Sequence, residues 1–176
     1  MLKNVEKCVE VLRAGGLILY PTDTVWGIGC DATNEEAVAK VYALKRSEEK
    51  TSMLCLMRDA DMVVRYVNRA PGIAFEVMEL SDKPLTAILP GAVGVAENLI
   101  PEAKTLGVRV PQHEFCQALL RKFGKPIVST SANISLGFSP YCSTCFRASL
   151  VSSLPGTLGN SQRFANSPVA GRFCRA

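Results

Sequence analysis

Three short polar segments hold the residues of this chain best suited to chemistry: Pro21-Thr22-Asp23-Thr24, Gly107-Val108-Arg109-Val110-Pro111 and Ser129-Thr130-Ser131-Ala132-Asn133. Each follows or interrupts a strand-like apolar run, and α/β proteins place their ligands in crevices beyond strand ends. The third segment packs three hydroxyls and a carboxamide into five residues, small donors that can approach phosphate or carboxylate oxygens closely. A plain turn does not need so many. Arg109 lies inside an apolar strand pattern, where an unpaired buried guanidinium is costly. It must therefore either form an ion pair or face a cavity that takes an anion, and the sequence leaves both open. The first segment reads equally as a capped turn, because Thr and Asp side chains bond to nearby backbone. Lys45 and Arg46 close a helical pattern, where cations complement the helix dipole without any ligand.

Other chemistries find no support in the residue pattern. No carboxylates pair closely enough for acid-base work, and no Ser-His-Asp or Cys-His spacing is visible. The sequences G-x-x-x-x-G-K-[ST] and G-x-G-x-x-G are absent, so any nucleotide is held without a standard phosphate loop. Cys8, Cys30, Cys55 and Cys116 stand among apolar neighbours and are expected to pack as small hydrophobes. Cys142-x-x-Cys145 has only Cys174 nearby, with the lone His113 far upstream, which falls short of the four spaced ligands of a structural zinc site. No metal ligand is assigned.

The elements that must position these residues alternate. Val5, Cys8, Val9 and Leu12 recur at helical spacing, with Asn4 as a cap and Gly15-Gly16 as the stop. Leu17 to Tyr20 reads as a buried strand halted by Pro21, feeding an irregular loop Thr22 to Gly27. Thr33-x-x-Glu36 has the form of a capping box before a second helix that ends near Lys45-Arg46. Strands are expected at Ser52–Met57, Leu85–Leu89, Leu106–Val110 and Pro126–Ser129, and helices at Asp59–Val67, Pro71–Leu80 and His113–Phe123. The class is α/β, one domain with a mixed sheet and flanking helices.

Composition agrees with a soluble globular domain. Of 176 residues, 48% are apolar and 20% charged, which fits neither a disordered nor a fibrous chain. No apolar run reaches the roughly 18 to 20 residues of a membrane helix, and the charged first 20 residues do not form a signal peptide. A cytoplasmic protein away from membranes is the expectation. The net charge of +4 is misleading. Residues 1–140 balance 16 Lys and Arg against 16 Asp and Glu, while residues 141–176 hold four Arg, six Ser and no acid. That stretch also loses all periodicity, so 1–140 is the domain and 141–176 an atypical tail, either disordered or altered by a reading-frame change near residue 140.

Taken in order, Leu19-Tyr20-Pro21-Thr22-Asp23-Thr24-Val25-Trp26-Gly27-Ile28-Gly29-Cys30-Asp31-Ala32, the Lys/Arg cluster, Lys83-Pro84-Leu85-Thr86-Ala87-Ile88-Leu89-Pro90-Gly91, Gly107 to Pro111 and Ser129 to Ser135 resemble the YrdC-type threonylcarbamoyl-AMP synthase family. The resemblance covers residues 1 to about 140. It implies a twisted mixed sheet around a deep cleft. It also implies a nucleotidyltransferase that joins L-threonine, bicarbonate and ATP into threonylcarbamoyl-adenylate with release of pyrophosphate. A tRNA-modifying threonylcarbamoyl transferase then uses the product at tRNA position 37. By position, Thr22, Thr24, Arg109 and Ser129 would hold threonine; Lys45, Arg46, Thr105, Ser131, Asn133 and Ser139 would hold ATP; Lys45 and Arg109 would be catalytic. Mg2+ would arrive on the ATP.

Two features depart from the family pattern. The expected Lys-x-Arg becomes Lys45-Arg46-Ser47, with the Arg one residue early, and the regular helix and strand that should follow Pro140 are missing. Two rival functions follow from the resemblance: a noncatalytic RNA-binding module of the same fold, and a carbamoyl-handling enzyme that does not use threonine. The neutral body argues against anything beyond weak RNA contact, since RNA affinity needs a clustered basic face.

Overall fold

The computed structural model describes residues 2–45, 53–81, 84–132 and 173–175. In chain order they form α1 (Leu2–Arg13), β1 (Leu17–Tyr20), β2 (Gly27–Asp31), α2 (Glu35–Lys45), β3 (Leu54–Leu56), α3 (Ala60–Tyr66), α4 (Gly72–Leu80), β4 (Ala87–Pro90), a 3-10 turn Glu97–Leu99, β5 (Thr105–Arg109), α5 (Glu114–Phe123), β6 (Ile127–Ser131) and β7 (Phe173–Arg175). One sheet runs β4-β5-β3-β6-β2-β1-β7. β3 pairs parallel with β5 and β1 with β7, while the other neighbours are antiparallel. The α/β class and the mixed sheet follow the sequence expectation. Among the described residues no helix is long and apolar enough to cross a membrane.

Strand alternation divides the molecule into two cores. Leu17, Leu19, Ile28, Cys30, Cys55, Leu106, Val108 and Val128 point to the face covered by α2 and α3. Ile18, Tyr20, Leu56 and Ile127 point the other way, against Val5, Cys8, Val9 and Leu12 of α1 and Phe115, Cys116, Leu119 and Leu120 of α5. Because successive side chains alternate, Ser129, Ser131, Thr105, Gly107 and Arg109 share this second face, yet the apolar cover of α1 and α5 does not extend over them. Among the described residues, this part of the face has no apolar cover from α1 and α5. The four cysteines expected to pack are buried free thiols, and burial pushes the Cys55 thiol up to about 12.

Several local details differ from expectation. α1 begins at Leu2, so Asn4 lies inside the helix and caps nothing. α2 is capped by Asn34, whose Oδ1 accepts from Ala37 N at 3.1 Å. The Thr33 hydroxyl instead donates to Asp31 Oδ1 at 2.7 Å. Gly27 to Asp31 is a buried strand that the sequence reading did not assign, having placed only Gly27 at the end of a loop, and β6 runs on to Ser131. His113 caps α5 by accepting from Phe115 N at 3.2 Å. Of the proposed tail, only Phe173–Arg175 falls among the described residues, where it pairs with β1; Cys142 and Cys145 lie outside them.

Gly29 is required by its neighbours rather than by its backbone angles. A Cβ there would lie 2.5 Å from Val128 O and 2.8 Å from Tyr20 Cε1, and the carbonyl cannot move without breaking the β2–β6 ladder. Gly124 has a positive φ of 78° but nothing within 4 Å of a Cβ. Gly29→Ala is therefore expected to cost about 2 to 4 kcal/mol, against about 1 kcal/mol for Gly124→Ala, as measured by urea unfolding.

Candidate active site

The part of the face that α1 and α5 leave without apolar cover is shaped by where each strand ends. β5 delivers Arg109 at its last position, and the loop after β1 folds Thr22 and Thr24 toward it. Arg109 Nε donates to Thr86 Oγ1 at 2.9 Å, and Nη1 to Thr24 Oγ1 at 3.4 Å. Among the described residues no carboxylate lies in ion-pair range of this guanidinium. Of the two readings the sequence left, the described residues supply hydroxyls rather than a structural ion pair. Hydroxyls orient the planar fork without neutralising it, and further N–H donors suit a bidentate anion.

Thr22 and Thr24 are both a turn and part of the site. Thr22 Oγ1 donates to Val25 O at 2.7 Å and accepts from Thr24 N at 3.2 Å, with the two hydroxyls 3.3 Å apart. Between them, Asp23 Oδ2 accepts from Gln112 N at 3.0 Å, which ties the loop to the connection beyond β5. Ser129 is 8% exposed. Its Oγ lies 3.3 Å, and the Thr22 methyl 3.4 Å, from where a Gly27 Cβ would stand. Thr22, Thr24, Ser129 and Arg109 therefore gather in one neighbourhood, floored by glycine.

A second group lies at strand ends near the first. Lys45, at the end of α2, is 7% exposed and donates from Nζ to Ser131 O at 3.0 Å, so it serves the end of β6 and is more than a dipole complement. Burial lowers its pKa below the ordinary 10.5. Thr105 lines a groove of about 290 Å³ together with Leu54, Thr86, Ile88, Asn98 and Gly107. Thr86 thus borders both the groove and Arg109. Arg46, Asn133 and Ser139 lie outside the described residues.

Sequence reasoning missed Thr86 as an Arg109 partner and Tyr20 as a neighbour of Ser129. Thr86 stands one residue before an edge strand with a weak apolar pattern, and its pairing across the sheet has no local signature. Tyr20 looks like any aromatic residue ending a strand.

The Sua5/YciO/YrdC family model, described as telomere recombination, matches residues 10–160, and the chain belongs to that family. The threonylcarbamoyl-AMP synthase of Halorhodospira halophila is 36% identical over 133 residues, covering 75% of this chain and 70% of that protein. E. coli YciO superposes with a TM-score of 0.66 at 30% identity, over 74% of this chain and 64% of YciO. P. abyssi Sua5 complexed with L-threonine gives 0.75 at 26% identity, over 82% of this chain and 43% of Sua5. The chain spans less than two thirds of each of these two solved structures.

The lowered Lys45 pKa sets a sign for pH dependence. Between its folded value and 10.5 the unfolded chain binds more protons, so the penalty of the buried charge is full below that window and vanishes as pH rises through it. Raising pH from about 7 to about 10 should favour wild type relative to Lys45→Met in urea unfolding. No drift, or the reverse drift, would show that burial does not penalise this charge.

Proposed function

We propose that the protein is an L-threonylcarbamoyladenylate synthase, a nucleotidyltransferase that makes threonylcarbamoyl-AMP and pyrophosphate from L-threonine, bicarbonate and ATP. The observation that carries this is Arg109, held by Thr86 and Thr24 with no carboxylate beside it among the described residues, next to the Ser129 and Thr22 cluster. A rigid bidentate donor among small hydroxyls matches an amino-acid carboxylate, and a lysine would not reproduce it. The named relatives and the threonine complex of Sua5 support the same reading.

In the proposed roles Thr22, Thr24, Arg109 and Ser129 hold threonine, while Lys45, Thr105 and Ser131 face the nucleotide, joined by Arg46, Asn133 and Ser139. The amine nitrogen of threonine bonds to the bicarbonate carbon, a carbon–oxygen bond breaks and water leaves, giving a carbamate. A carbamate oxygen then bonds to the α-phosphorus of ATP, and the α-phosphate bond to the β-phosphate breaks to release pyrophosphate. Such a step needs alignment and charge neutralisation more than a protein nucleophile. The hydroxyls and Lys45 would hold the phosphates, and Mg2+, which would come with the ATP, would help neutralise their charge, with no protein ligand assigned to it. The product would pass to a tRNA-modifying threonylcarbamoyl transferase, in the cytoplasm.

Pyrophosphate release that requires threonine, bicarbonate and ATP together tests this assignment. RNA binding without turnover, or turnover indifferent to threonine, would replace it. Arg109→Lys is expected to lower threonine-dependent turnover by on the order of 100-fold with an unchanged fold, since one bidentate pair is worth roughly 2 to 3 kcal/mol. Ser131→Ala should weaken ATP binding about tenfold and threonine binding less, both read by calorimetry.

A further inference from the structure

Tyr20 ends β1 with a fully buried side chain, and its hydroxyl makes no well-formed hydrogen bond among the described residues. Leaving a buried donor unmade costs free energy, so such groups call for an explanation. The ring has little freedom to find a partner. It lies across the two β2 glycines, with Cε1 2.8 Å from a Cβ position on Gly29 and Cζ 3.3 Å from one on Gly27. A side chain at Gly29 would collide with it, and one at Gly27 would press against it. The same Gly27 position lies 3.3 Å from Ser129 Oγ, so phenol and serine meet over one glycine. Burial raises the Tyr20 pKa strongly, with the Ser129 hydroxyl as the neighbour opposing that shift. The phenol is therefore an O–H donor at any ordinary pH.

We propose that Tyr20 is a positioning residue for Ser129, its hydroxyl donating to Ser129 Oγ when L-threonine occupies the site. This rests on the reading of Ser129 as a threonine-binding residue. A serine hydroxyl has one proton and two acceptor sites. If the phenol donates into Oγ, the serine proton is released for the ligand carboxylate, whereas a serine that donates to the phenol has nothing left to offer. With the ring pinned by Gly29, the serine rotor is the part that adjusts. The buried hydroxyl is then a donor kept in reserve for the bound state rather than a packing fault.

Tyr20→Phe removes one atom and keeps the ring. Calorimetric titration of L-threonine should show about fivefold weaker binding in this variant, with the melting temperature unchanged or slightly raised and affinity for a nonhydrolysable ATP analogue unaltered. In the double variant Tyr20→Phe with Ser129→Ala, threonine affinity should equal that of Ser129→Ala alone, because the phenol then has nothing to position. Unchanged threonine affinity in Tyr20→Phe, with or without a loss of melting temperature, overturns the proposal, as do additive effects in the double variant. Failure of the wild type to bind L-threonine would instead sink the functional reading, and this inference with it.

Discussion

A pleated strand sends alternate side chains to opposite faces, and among the described residues α1 and α5 cover only part of one face. α1 and α5 bury Ile18, Tyr20, Leu56 and Ile127, and past them the same face carries Ser129, Ser131, Thr105, Gly107 and Arg109. Every polar group of the candidate site on the sheet follows from that boundary. The opposite face, under α2 and α3, carries Cys30, Cys55, Val108 and Val128 in matching rows and supplies apolar burial along β1 to β6. Apolar burial and the candidate site's polar groups thereby fall to alternate residues of the same strands.

Arg109 shows what this arrangement demands energetically. A guanidinium at the end of β5, the strand beside edge strand β4, lies where α1 and α5 give no apolar cover, and two threonine hydroxyls fix its plane. Those hydroxyls come from opposite sides, Thr24 from the loop after β1 and Thr86 from the approach to β4. The Asp23 to Gln112 contact holds the first of these in place. Lys45 reaches the end of β6 from α2 and accepts partial desolvation in doing so. Charge is placed where burial alone would not put it, the placement on which the proposed anion-binding role rests.

Long apolar periodicity made most elements legible. α5, with Phe115, Cys116, Leu119, Leu120 and Phe123 on one side, and β1, buried throughout, emerge from pattern alone. β2 was hidden because Gly27 and Gly29 carry no side chain to alternate, and the reason for them is tertiary: the Tyr20 ring fills their space. The α2 cap shifted from Thr33 to Asn34 because Asp31 takes the Thr33 hydroxyl. Thr22, Thr24, Arg109, Ser129, Lys45 and Ser131 were each visible as residues of the right chemistry, and family resemblance grouped them. Their partners Thr86 and Tyr20 were not, because strand register across the sheet leaves no mark on neighbouring sequence. Arg46, Asn133 and Ser139 lie beyond what the structure describes.

The central claim is that the uncovered half-face is where ligands bind. Amide hydrogen exchange with and without saturating L-threonine and a nonhydrolysable ATP analogue tests it most directly. The account predicts new protection concentrated in residues 22–29, 105–109 and 129–132, with α1 and the buried side of α5 unchanged. Protection confined to other surfaces, or spread evenly over both faces of the sheet, would contradict it.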